Sequence, residues 1–185
     1  MKKKIWKIIS WVLLILTILS VVLLVIPPSG RTPESSTEAA QSFDQKWAEL
    51  AGAHARGEAS EVRLSESELN SKIQQAVEGA PSGGVASMKG VEARLDGNDL
   101  VFVLKISILG VNTYVTMGGK PVLRDHILEF DLDQVDMGRM PVPASMIGAF
   151  LRSRLESPEM RESMTLPDFI RDVRVENGEL VFDAD

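Results

Sequence analysis

Asp125-His126 sets a carboxylate beside one of only two histidines in the chain. An imidazole oriented by a carboxylate can draw a proton from a serine hydroxyl, and serines are plentiful, so a hydrolytic triad can be drawn. No G-x-S-x-G elbow is present to expose a nucleophile, and His126 falls just after a turn between two alternating segments. The other histidine, His54, belongs to a helical stripe. Asp131, Asp133 and Asp136 offer a second chemistry, because calcium prefers clustered carboxylates. Alternation places Asp131 and Asp133 on the solvent face of a strand, and neither the spacing nor the central glycine of an EF-hand accompanies them. Gly83-Gly84 and Gly118-Gly119 read as turns, not as a phosphate loop, and no carboxylate pair stands out for glycoside cleavage. With no cysteine, disulfides, thiolate metal sites and a lipidated N-terminal cysteine are excluded. The residues point to no catalytic site, no metal and no cofactor, and the expectation is a protein that is not an enzyme.

Charge narrows the partners. The net charge is −6, yet Lys2, Lys3, Lys4 and Lys7 all lie at the N-terminus and no acid precedes Glu34. Subtracting those four charges leaves −10 on the remainder, which repels phosphate backbones and argues against nucleic acid as a partner. Aromatic content of 5 %, with one tyrosine, also argues against a base-stacking surface.

From Ile5 to Ile26 the chain reads IWKIISWVLLILTILSVVLLVI, whose single charge is Lys7. About 20 apolar residues span a bilayer core as a helix, so this run predicts one N-terminal transmembrane helix. Trp6 and Trp11 suit the headgroup level, and the preceding lysines place Met1 in the cytoplasm. A cleaved signal peptide is the rival; its apolar core is shorter and ends in small residues, whereas this run ends in Ile26-Pro27-Pro28. The expected organisation is a cytoplasmic tip and cell-membrane anchor at 1–26, a flexible linker rich in Pro, Ser and Thr at 27–40, and an extracytoplasmic α+β domain at 41–185.

Within that domain, Phe43, Trp47, Leu50 and His54 recur at helical spacing and predict a helix over about Ser36–Arg56. Val62 and Leu64 suit a short strand. Ser65 then stands three residues before Glu68, the capping-box spacing, and Leu69, Ile73, Ala76 and Val77 follow on one helical face. From Val85 the period changes to two. Val91, Ala93 and Leu95, then Leu100 to Ile108, then Val111 to Met117, then Leu128, Phe130 and Leu132 predict an antiparallel meander with one apolar face. Gly118-Gly119 and Pro121 punctuate the third strand. Val135 and Met137 fall out of phase, and a bulge at Asp133 or Gln134 restores them to the buried face. Pro141 and Pro143 then stop the sheet, and Ala144 opens a helix that lines Met146, Ile147, Phe150, Leu151 and Leu155 along one side. Val173, Val175, Leu180 and Phe182 around Glu176-Asn177-Gly178 predict a closing hairpin.

The order of an N-terminal anchor, LSESELN, a meander, MGRMPVP before an amphipathic helix, and LPDFIRDVRVENGELVF resembles small bacterial membrane-anchored proteins of the YpmS type. More distantly it is similar to YceB-like lipoproteins of the tubular lipid-binding (TULIP-like) class. The resemblance covers about Val62 to Phe182 and implies a curved antiparallel sheet around a helix, with an apolar groove able to hold an acyl chain. It carries no catalytic residues, and this chain departs from the lipoproteins in having no lipidated cysteine. The fold expected is therefore α+β, a curved antiparallel meander packed on amphipathic helices and preceded by a transmembrane helix. The ligand-binding residues expected are Phe102, Leu104, Ile106, Phe130, Ile147, Phe150 and Leu151. The expected function is non-catalytic binding of a lipid between sheet and helix. The alternative is a tethered interaction subunit with a protein partner in the cell envelope and no ligand.

Overall fold

A computed structural model describes residues 13–20, 22, 23, 25–28, 34–78, 86–108, 110–141, 161, 162 and 164–185. Among the described residues the fold is α+β, with a five-stranded and a three-stranded antiparallel sheet and, apart from a helical fragment at 161 and 162, three helical segments. The first, α1, is described at 13–20, 22, 23 and 25. Among the described residues no helix is long and apolar enough to cross a membrane; residues 1–12, 21 and 24 of the expected span lie outside them.

Helix α2 covers Thr37–Ala55, and its ends follow from its sequence. Ser36 accepts the Ala39 N–H on its hydroxyl at 3.0 Å, and Arg56 closes the last turn. Its first turn, 37–40, lies in the stretch whose composition reads as linker. The apolar stripe buries Ala40, Leu50 and Ala53, and Trp47 meets Phe182 edge-on at 5.3 Å. Strand β1, Ser60–Ser65, leads directly into helix α3, Glu66–Glu78.

The meander is the five-stranded sheet. Strands β2 (Ala86–Asp96), β3 (Asp99–Ile108), β4 (Val111–Arg124), β5 (Ile127–Met137) and β6 (Met140–Pro141) pair in sequence order. The bulge expected in β5 is present: Gly118 pairs with Gln134 and Gly119 with Leu132, so Asp133 is the extra residue. The result puts Val135 opposite Met117 and Met137 opposite Val115, on the apolar face. The glycine pair and Pro121 do not end β4, which runs on to Arg124. A Cβ on Gly119 would lie 2.3 Å from the Asp131 carbonyl oxygen, so the bulge requires glycine there. Pro121 is tolerated because β3 pairs with β4 only as far as Gly119, leaving no β3 carbonyl to receive the N–H that proline lacks. Pro141 forms the last paired position, opposite Asp136. Pro143 and the expected helix with Ile147, Phe150 and Leu151 lie outside the described residues.

The closing hairpin forms as β7 (Ile170–Glu176) and β8 (Glu179–Ala184), with Asn177 and Gly178 both at positive φ in its turn. It does not extend the meander. Strand β8 pairs with β1, across more than a hundred residues of sequence, to form a separate sheet in the order β1-β8-β7. The inner face of this small sheet, α2, and one end of the meander's apolar face share a single core, centred on Leu50, Leu64, Ala93, Leu100, Ile170 and Val173.

The outer face of the small sheet is a charge lattice. Arg63 and Arg174 flank Val181 across three strands and leave it 0 % exposed beneath their stems. Arg63 pairs with Glu61, Glu176 and Glu179, and Arg174 with Asp183, Asp172, Glu61 and Glu176. The Glu61 hydrogen bond raises the Arg63 pKa, and the Asp183 bond does so for Arg174.

Candidate functional site

The apolar residues expected to bind ligand fall into two groups. Phe102 and Phe130 meet edge-on at 5.4 Å and, partly buried, pack against the main core. Leu104 and Ile106 are half-buried and stand beyond that core, Leu104 in a cross-strand row with Val91, Val115 and Met137 and Ile106 in one with Met88 and Thr113. Ile147, Phe150 and Leu151 lie outside the described residues.

The LSESELN segment is a structural joint. Ser65 donates from its N–H and hydroxyl to Glu68 Oε2 at 2.8 and 3.0 Å, and the Glu68 N–H returns to Ser65 Oγ at 3.3 Å. Lys46 and Ser42 of α2 also donate to the Glu68 carboxylate, at 2.9 and 2.5 Å. Burial pushes that carboxyl up, but the bonds from Lys46, Ser42 and Ser65 outweigh it and hold the pKa down at about 2. Two residues on, Asn70 is 2 % exposed and acts as a substitute strand. Its side chain donates to the Ala93 carbonyl at 2.6 Å and accepts the Ala93 N–H at 2.8 Å, while Glu66 accepts the Leu95 N–H at 2.7 Å. These bonds close part of the open edge of β2.

On the opposite face of the meander lies a cleft of about 540 Å³. The register explains its shape: Arg94, Val101, Gly118 and Gln134 form one cross-strand row, and Glu92, Val103, Thr116 and Asp136 the next. Gly118 leaves the centre of the first row without a side chain. Arg94, Asp96, Gln134 and Asp136 stand around the cleft, Thr116 lies in it, and Arg139 and Pro28 close one end. Gln134 donates to Asp136 at 2.6 Å, and Arg94 pairs with Glu92 at 3.3 Å. Thr116 is 7 % exposed, and its hydroxyl has no hydrogen-bond partner among the described residues. The Arg139 N–H donates to the Leu23 carbonyl at 3.0 Å, so the end of α1 adjoins this cleft. Apart from Asp136, weighed above as a calcium ligand, these residues escape the sequence pattern because strict alternation assigns them to the solvent face. The signal available was the mixture of Arg, Asp, Thr and Gln there beside a glycine.

Among the described residues the other candidate side chains stand as follows. Asp125 and His126 form the β4–β5 turn itself, with φ of 49° and 61°, and His126 Nδ1 is buried with no hydrogen-bond partner among the described residues. Asp131 faces Lys120 and is exposed, as is the bulged Asp133. Among the described residues no group of three acidic or histidine side chains is placed to hold a metal. Comparison with known proteins finds no matching family model, no similar curated protein and no similar solved structure.

Proposed function

We propose that this protein is a single-pass, membrane-anchored domain displayed outside the cytoplasm that binds an acyl chain without chemistry. One observation carries the reading: among the described residues, the main core stops short of one end of the meander's apolar face. Leu104, Ile106, Val115 and Met137 continue the face past the main core. The same end of the sheet carries the Gly138-Arg139 turn, bonded to Leu23, so this end of the apolar face lies where α1 arrives. The outward character of α1 supports the anchor, with Leu13, Ile15, Leu16 and Ile18 each more than half exposed. Binding is driven by desolvation, at about 0.8 kcal/mol for each methylene buried. The resemblance to YpmS-type and TULIP-like proteins, which rests on motif order, agrees with this reading.

A second reading, a tethered subunit of an envelope complex, draws support from the outer face of the small sheet. Five carboxylates there surround two arginines, a charged surface that suits a basic protein partner better than a lipid. The deciding experiment uses Thr32–Asp185, prepared without detergent, in native mass spectrometry with organic extraction of the bound material. A stoichiometric lipid that Leu104→Asp loses while folded supports the acyl site. An empty parent protein that takes up no added phospholipid leaves the interaction subunit.

A further inference from the structure

We infer that the end of the meander beside α1 is a contact surface for an anionic membrane, with the tip of the β3–β4 hairpin seated among the headgroups of the bilayer that holds the anchor. The inference rests on the anchored reading above and adds where the domain sits: against the bilayer, with this end down. Backbone bonds fix the place. The Arg139 N–H donates to the Leu23 carbonyl, so the β5–β6 turn meets α1 a few residues before the apolar run ends at Ile26. With α1 in a bilayer, this turn stands at headgroup level. The Gly138 N–H donates to the Tyr114 carbonyl at 2.7 Å, whereas β4 begins at Val111. The β3–β4 hairpin therefore runs on for about 10 Å past that turn. Pro28 lines the cleft, and Ser35 and Ser36 are bonded to Gln74 and Ser71 of α3 at 2.8 and 3.0 Å, so the connection to the anchor is held against the domain at both described ends.

The register shows what this end is made of. Beyond the row of Glu92, Val103, Thr116 and Asp136 it comprises, among the described residues, 86–91, 104–108, 110–115 and 137–140. Its charged residues are Lys89, Lys105 and Arg139, with no acid, although the chain beyond its four N-terminal lysines carries −10. Both lysines are exposed. Lys89 is the extra residue where the register of β2 slips between Met88 and Gly90, and Lys105 stands opposite Tyr114. Tyr114 is the one tyrosine of the chain. A tyrosine favours the membrane interface, where its ring meets apolar surroundings and its hydroxyl stays wet.

The exposed apolar side chains mark the same surface. Outside α1, the exposed large apolar residues among those described are Met88 and Val111, at 42 % and 52 %. The register puts both on the apolar face, Met88 opposite Ile106 and Val111 opposite Ile108, in neighbouring rows at the end of the sheet. Exposed apolar residues scattered singly need no explanation. Here two share one end with two exposed lysines and no acid, a combination that suits anionic headgroups over an apolar layer. A second copy meeting this end across a two-fold axis would bring the lysines against one another.

The chain has no cysteine, so an introduced one carries a label at a single place. The test puts the full chain into vesicles of phosphatidylcholine and phosphatidylglycerol in equal parts. A nitrobenzoxadiazole label sits on Val111→Cys, Met88→Cys or, in the β2–β3 turn at the opposite end, Asn98→Cys. The first two are expected to be quenched by lipids carrying a nitroxide near the headgroup and to be shielded from aqueous iodide; the Asn98→Cys label shows the converse. Lys89→Gln combined with Lys105→Gln is expected to lower the ratio of docked to undocked domain about fivefold for each lysine. Equal responses at Val111→Cys and Asn98→Cys overturn the proposal, as does quenching that the double exchange leaves unchanged. Shielding from iodide without nitroxide quenching gives this end to a protein partner or a second copy and overturns it too. A carbonate wash separates the two readings. A chain that stays in the vesicles while the Val111→Cys label remains in water keeps the anchor and removes the contact; a chain that washes off removes the anchor and the contact with it.

Discussion

Replacing Glu68 by glutamine isolates the joint between α2, β1 and α3. The substitution keeps the shape and the acceptor oxygen but removes the charge that Lys46, Ser42 and Ser65 converge on. Because the folded pKa is depressed, the stabilisation is complete above the unfolded value of 4.5 and is lost as the pH falls toward 2. A depression from 4.5 to about 2 corresponds to about 3 kcal/mol in favour of the folded carboxylate. About 2 kcal/mol of it is gone by pH 3. The glutamine variant is expected to be less stable by about 2 kcal/mol at pH 7, since one amide oxygen replaces two charged acceptors. The gap between the two proteins should narrow steadily below pH 4.5. Urea unfolding of Thr32–Asp185 at pH 7, 5, 4 and 3 measures it. A gap that stays constant from pH 7 to pH 3 would refute the reasoning, because the carboxylate would then carry no special stabilisation from its donors.

Asn70→Leu should cost about 3 kcal/mol, because the buried N–H and C=O of Ala93 both lose their partner; hydrogen exchange at the Ala93 amide should quicken while β8 stays protected. Gly119→Ala should prevent cooperative folding or cost more than about 3 kcal/mol, since the Asp131 carbonyl oxygen occupies the space of the new methyl group; a cooperative melt at the parent temperature would contradict the bulge geometry. Ser36→Ala removes the N-cap of α2 and the expected loss is about 1 kcal/mol, read from denaturant unfolding.

The elements themselves were legible in the sequence because each rests on local rules. Ser36 to Arg56 matched the observed helix within a residue at each end, since an N-cap serine and a stripe at helical spacing need no distant partner. Ser65 and Glu68 announced their own hydrogen bonds, and the phase change before Val135 announced the bulge at Asp133. The glycine pair and Pro121 misled because Gly119 answers the bulge in β5 and Pro121 is tolerated only where β3 has ended, both of which only the register reveals.

Sequence by itself determined where the described helices and strands begin, which residues alternate inward, and that the N-terminal run is apolar but for Lys7 and a few hydroxyl residues. Those features depend on contacts a few residues apart and on backbone preference. Tertiary structure alone decided that β8 pairs with β1 and not with the meander, that Asn70 closes the edge of β2, and that Phe102 and Phe130 pack against the core. It also decided that Arg94, Thr116, Asp136 and Arg139 meet around one cleft beside the end of α1. Such pairings join residues far apart in the chain, and many registers satisfy the same alternation. Only the packing of all elements around one core selects among them.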